Sequence, residues 1–408
     1  MFKKIIMLMM LAFLSVGCSE ADKSMEAAAV SDIETEEKRQ VMREAEAEIA
    51  DADNLLDDGQ KDLLYNFALG CAQTLQHLTP ADFYPLFAES EGEERYLNDA
   101  AYSTLCTIRS MQDKDMTLEY AKVCYRVESV YDNGYTVTAE VCEDNVQKFK
   151  HLQNESYTYN TYHKFVLINT DEGWKVKSHL QEEDFFLMAI EAWEDVAGGT
   201  LAEKAVNAVQ LLKADAEENF ALAAENLNEY REIAVSKEYD REKAVEYAAQ
   251  WCNKRSSEYL EYDLYGGNCQ NFASQCIHAG GMDMDIKGSY TCQWKFYGKD
   301  LNLYHSAAGR SYSWIGVDEF YTYSVNNSGT GLALQPDISL EYAEKGDVIQ
   351  VGAYYKWRHS LVVADVLRDE NGNVTEIILA SNTADRWNYP LSAYIYTYPR
   401  LIHVDGQY

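Results

Sequence analysis

The run Gly266-Gly267-Asn268-Cys269-Gln270-Asn271-Phe272-Ala273-Ser274-Gln275-Cys276-Ile277-His278-Ala279-Gly280-Gly281 holds a thiol in a setting that can change its chemistry. It reads as a glycine turn, a helix and a glycine stop. Asn268 is a favourable N-cap, which puts Cys269 in the first turn of the helix. There the unpaired backbone N–H groups and the positive end of the helix dipole favour a thiolate. Cys269, Phe272, Ala273 and Cys276 follow i, i+3, i+4, i+7 spacing, so the thiol shares the face that enters the core. A nucleophile for acyl transfer needs that footing, at the wall between core and cleft. A buried structural cysteine would show the same pattern.

The elements around this helix supply the partners. Tyr239 to Trp251 is an amphipathic stretch with Ala244, Val245, Ala248 and Trp251 inward. Three strands follow the cysteine helix, over 346–351, 359–366 and 375–382. The second begins with His359 and the third ends at Asn382.

A helix bearing cysteine, a strand opening on histidine and a strand closing on a polar residue resemble, in that order, the papain-like hydrolases. Five motifs together resemble the "putative amidase domain" family of secreted bacterial proteins, relatives of the cell-wall cysteine peptidases. They are Tyr239 to Trp251, Gly266 to Gly281, Ser311-Tyr312-Ser313-Trp314, Gly346-Asp347-Val348 and His359-Ser360. The resemblance covers 237–408 and implies Cys269 as nucleophile and His359 as base. Two positions depart from the family: Asn268 stands where an aspartate is usual, and Ser381-Asn382-Thr383 stands where Tyr-His-Thr is common.

The roles then follow from chemistry. A free thiol is mostly protonated at neutral pH, so His359 takes its proton, and later protonates the leaving amine. Asn382 is expected to hold the imidazole in its productive tautomer, with Asp385 as the second choice. The oxyanion would meet the Cys269 backbone N–H and one more donor, for which Asn268 is a candidate. His278 falls on the opposite side of the helix, and His305 and His403 lack the strand-start setting. Cys276 reads as buried, and Cys252 and Cys292 carry no assignable role. Trp294, Trp314, Tyr312 and Tyr321 fit a groove lining or plain aromatic packing equally well.

Composition bounds the rest. Against 35 Lys and Arg stand 67 Asp and Glu, a formal charge of −32, which argues against nucleic acid as a partner. Lys3, Lys4 and the apolar run 5–14 form a targeting device too short to span a bilayer as a stable helix. Leu14-Ser15-Val16-Gly17-Cys18 resembles a bacterial lipoprotein cleavage box, which implies a signal peptide over 1–17 and a lipid on Cys18. The expected location is extracytoplasmic, anchored to the cell membrane through that lipid. No C-x-x-C pair or H-E-x-x-H occurs, so neither a metal nor another cofactor is expected.

In chain order, 18–58 reads as an acidic tether, with 36–50 helical. Residues 59–190 pass from helices to an antiparallel meander, an α+β layout that looks like the nuclear-transport-factor-like cone. In its first hairpin a three-residue Asp132-Asn133-Gly134 loop pairs Tyr131 with Tyr135. That register sets Cys124 opposite Cys142, a geometry open to a disulfide. His163 and His179 read as ordinary sheet residues. An acidic helical connector spans 191–236. The whole is an α+β protein whose C-terminal domain is expected to be a cysteine amidase or peptidase. Its expected substrate is peptidoglycan or an envelope peptide. The alternative is a binding lipoprotein that keeps the fold without the reaction.

Overall fold

The structure is a computed structural model. It describes residues 44–408 except 224, 226, 288–291, 297, 299–309 and 354–355. Strand β1 (Glu46–Ala50) comes first, where the sequence suggested helix. It pairs in parallel with a later strand, and Ala47 and Ile49 lean on the core, so burial at a sheet edge overrides the helical tendency of alanine and glutamate. Helix α1 (Asp58–His77) opens with a capping box between Asp57 and Gln60. Its buried face includes Leu63, Leu64, Phe67, Ala68 and Cys71, the stripe that the spacing predicts. Helix α2 (Glu93–Ser110) follows.

The meander is β2 (Leu118–Asp132), β3 (Val137–Phe149), β4 (Ser156–Thr170) and β5 (Gly173–Gln181). Its first turn is wider than the three-residue loop expected from sequence. Asn133 Oδ1 accepts from the amides of Tyr135 and Thr136, and Asp132 Oδ1 accepts from Gly134, so pairing starts at Asp132–Val137. A bulge between Val127 and Ser129 keeps the apolar residues on one face. The register therefore moves, Cys124 faces Asp144, Cys142 faces Arg126, and both thiols are free.

Two helices follow, α3 (Asp184–Asp195) and α4 (Leu201–Ala223), separated by Gly198 and Gly199, both at positive φ. The sequence read this stretch as one acidic helical connector. After β6 (Lys237–Glu238) come α5 (Arg241–Trp251), α6 (Cys269–Ala279), α7 (Tyr312–Ile315) and α8 (Val317–Asn326). Strands β7 (Leu332–Ile338), β8 (Val348–Ala353), β9 (Lys356–Arg368), β10 (Val374–Ser381), β11 (Asp385–Pro390) and β12 (Tyr398–Gln407) complete the chain.

The strands form one twelve-stranded, mostly antiparallel sheet in the order β1-β2-β3-β4-β11-β10-β9-β8-β12-β6, with β5 beside β4 and β7 beside β12. This is a mixed helix and sheet architecture, as the α+β reading expects. The join between the halves is β4 against β11, at Tyr157 to Tyr159 and Asp385 to Trp387. One apolar core runs through both halves, from Leu56 to Val404. Asp347, wholly buried, ties the C-terminal half together. It takes hydrogen bonds from Arg241, from the amides of Glu344 and Val404, and pairs with His403 at 2.7 Å. No described helix is long and apolar enough to cross a membrane.

Candidate active site

Gly266 and Gly267 take φ of +103° and +115°, a turn that side chains disfavour, and this turn delivers Cys269 to the first position of α6. Asn268 holds the N-cap position, but its side chain does not cap the helix. Its Oδ1 accepts from the amide of Tyr262 and from Asn271, and its Nδ2 donates to Asn382 Oδ1 at 2.5 Å. Phe272, Ala273 and Cys276 are buried beneath the helix, as the spacing predicts.

His359 stands near the start of β9, opposite Val351 of β8. The residues next to the pair lock helix to strand. Ser360 Oγ donates to Gln270 Oε1 at 2.6 Å, and Gln350 Nε2 donates to Ser360 Oγ at 3.1 Å, all three side chains being fully buried. Cys269 and His359 are therefore fixed by packed, hydrogen-bonded neighbours rather than by a loop.

Within that frame the Cys269 thiol and the His359 ring stand close enough to shift each other's charge. Burial pushes the thiol up, yet the His359 hydrogen bond and charge, with the amides of Ser360 and Gln270, bring it below its ordinary value. Burial opposes charge on His359 as well. The Asp184 carboxylate, by charge and hydrogen bond, and then Cys269 raise it to about 10. Both shifts act in favour of a thiolate facing an imidazolium. His359 Nε2 lies 3.1 Å from Asp184 Oδ1. The other ring nitrogen, Nδ1, is buried without a well-aligned hydrogen bond, which leaves it for the thiol. Such couples are commonly loose before substrate binds.

Sequence and structure part over the group behind the histidine. Asn382 does not reach His359. Its Nδ2 donates to the carbonyls of Trp251, Cys252 and Lys254, and its Oδ1 accepts from Asn268, so it stitches α5 to the turn before α6. Asp385 pairs with Arg255 and accepts from Asn160. Asn268, proposed from sequence as an oxyanion donor, gives one amide hydrogen to Asn382. The place expected for Asn382 is filled by Asp184, the first residue of α3, 175 positions before the histidine. Burial would raise that carboxyl, but His359 and Arg386 hold it below the ordinary carboxylate range. The one sequence signal for it was an acid run, Glu182-Glu183-Asp184, entering the apolar stretch Phe185-Phe186-Leu187-Met188.

The remaining expectations fall into place around this centre. His278 binds the Met282 carbonyl and His403 binds Asp347, whereas His305 and Cys18 lie outside the described residues. Cys276 and Cys252 are buried. Trp294 and Trp314 are wholly buried, 4.6 Å apart, and bond Ser274 and Asn271 of α6, so they are core. Tyr312 is half exposed. Tyr321 lines a cavity of about 790 Å³ together with Trp357, Tyr396, Tyr398 and Arg400. Tyr396 belongs to both regions: its ring centre is 5.9 Å from that of His359. Among the described residues no cluster of histidine, cysteine and carboxylate is placed to hold a metal ion.

The geometry can be set beside known proteins. No solved structure matches the chain. An uncharacterized protein of Bacillus subtilis (strain 168), YhbB, is 26% identical over 238 residues, which span 57% of this chain and 63% of that protein. The stretch that carries both Cys269 and His359, residues 238–404, matches the family described as "Putative amidase domain", which points to amidase-like hydrolysis.

Proposed function

We propose that the protein is a cysteine-dependent amidase or peptidase of the papain-like kind. The single observation that carries this is the Cys269–His359 couple, with the thiol lowered and the ring raised in a site that burial alone would discharge. In the first step the Cys269 sulfur attacks the amide carbon, forming C–S and placing the charge on oxygen. Collapse of that adduct breaks C–N, and the amine leaves with the proton of His359. Neutral His359 then takes a proton from water, whose oxygen attacks the thioester. Collapse of this second adduct breaks C–S, the carboxylic product departs, and the sulfur is left as thiolate beside the protonated His359.

The substrate is proposed to be an amide of peptidoglycan or of an envelope peptide, met by a lipoprotein held to the membrane through Cys18. Support comes from the family match and from the leader read in the sequence. The cavity that shares Tyr396 with this site offers room for such a chain. The test is incubation of the mature protein with purified cell wall, followed by identification of new amine and carboxyl ends. Wild type should create them and Cys269→Ala should not; equal release by both would falsify the mechanism.

One observation favours a second reading, a binding lipoprotein without the reaction. Cys269 is 4% and His359 9% exposed, so substrate must displace something to reach them. Retention on cell wall with no new ends, and no labelling of Cys269 by iodoacetamide, would select that reading.

A further inference from the structure

Among the described residues, three side chains from separate elements face His359. Cys269 comes from α6, Asp184 from α3, and Tyr396 from the segment before β12. Arg386 of β11 stands behind the acid, its Nη1 3.8 Å from Asp184 Oδ2. The acid is not a passing surface contact. Its side chain is 7% exposed. Its helix is clamped to the C-terminal half at two further points: Glu183 on Arg386 at 2.6 Å, and Glu191 on Arg358 at 2.7 Å. Arg358 is the residue immediately before the histidine. The start of α3 is thus built against β9 and β11, with its first carboxylate aimed at the free side of the imidazole.

We propose that Asp184 is the positioning residue for His359, so that the reaction centre is assembled from both halves of the chain. Residues 238–404, the stretch that matches the amidase family, then lack one member of their own centre. The N-terminal half is not a passenger but supplies that member. The inference rests on the Cys269–His359 reading and adds to it where the orienting group comes from. An acid accepting from Nε2–H fixes which nitrogen meets the thiol and favours the charged ring, so the thiolate persists to lower pH.

The test uses the full mature chain and iodoacetamide as the probe, with alkylation at the Cys269 peptide followed by mass spectrometry across pH. In wild type, Cys269 should stay reactive near pH 6, where an ordinary thiol is protonated. Asp184→Asn should lower the rate there by about tenfold or more and leave the rate at alkaline pH nearly unchanged, a displaced midpoint rather than a uniform loss. Asp184→Glu should recover part of the shift, and it serves as the test variant if the asparagine protein does not fold. A role confined to stability would lower the unfolding midpoint and leave the pH profile in place. A reactive wild type with an unmoved profile in either folded variant overturns this inference alone. A wild type with no reactivity at Cys269 near neutral pH overturns the couple, and the inference falls with it.

Discussion

Two buried clusters in this molecule use the same residue types and reach opposite electrostatic outcomes. In the N-terminal core Cys71 touches Tyr102 and Tyr125, and His179 lies 3.0 Å from His163. Burial and the nearby Glu143 push the Cys71 thiol up to about 12, and burial with the His163 charge holds His179 well below its ordinary value. In the C-terminal half Cys269 is lowered and His359 raised. Burial acts in the same direction at both places. The difference is the pairing: a thiol set against a ring that Asp184 keeps charged, instead of thiol against phenol and ring against ring. Depth in the core silences a cysteine; a committed partner reverses that.

If the partner is what matters, removing it should have the largest effect. His359→Ala is expected to lower release of new ends from cell wall by about 10⁴-fold, as loss of a base acting jointly with its nucleophile does. Measured turnover within tenfold of wild type would break the comparison at its root.

The next contrast is with another buried acid and histidine. Asp347 and His403 are as close as a catalytic pair, but face Arg241 and backbone amides, not a thiol. Asp347→Ala removes the buried acid that Arg241, His403 and the amides of Glu344 and Val404 share, leaving Arg241 only Glu344 as a carboxylate, and should cost about 3–5 kcal/mol in urea unfolding. The pH profile of Cys269 alkylation should stay put in any folded fraction. A shifted profile would mean that the two acid–histidine pairs are coupled, contrary to the separation drawn here.

A third prediction follows from proton linkage at the couple. His359 is raised from 6.5 to about 10 on folding, so its contribution is full below 6.5 and is lost as pH rises through the folded value. Cys269 is lowered from 9.0, so its contribution is full above 9.0 and is lost as pH falls through the folded value. Between the two ordinary values the effects oppose each other: the ring takes up a proton on folding and the lowered thiol releases one. Wild-type stability should therefore fall less steeply with pH there than the ring alone would make it. In Cys269→Ala the ring titrates against Asp184 alone, and stability should fall with rising pH at up to about 1.4 kcal/mol per pH unit. Urea midpoints taken at several pH values distinguish the two slopes, and parallel curves would deny that opposition.

How far the sequence foretold this depends on whether a role has a local signature. Cys269 had one in its paired glycines and helical spacing, and His359 had one in its place at the head of an apolar strand. The meander strands were legible from alternation, and their register was not, because Asn133 and Asp132 widen the turn through side-chain bonds that spacing does not reveal. Asn382 lies at its strand end as expected, but three carbonyls of the α5 terminus capture its amide. Asp184 had no local signature for its role. An acid at a helix start reads as a solvated N-terminal residue, and only the packing of α3 on β9 and β11 turns it inward.

The smallest expected effect is the sharpest control, because it compares two thiols on one helix. Cys276 is seven residues after Cys269, on the same face and wholly buried. Burial, and then the neighbouring Cys252, push it well above its ordinary value. Cys276→Ala removes one sulfur from the core and should cost about 1 kcal/mol in urea unfolding. It should leave both the rate and the pH midpoint of Cys269 alkylation where they were. The helix and its packing face are common to both positions, so an unchanged Cys269 assigns the difference between the two sulfurs to the helix start and His359 rather than to that face. A tenfold fall would instead place the control of Cys269 in the packing of α6 as a whole.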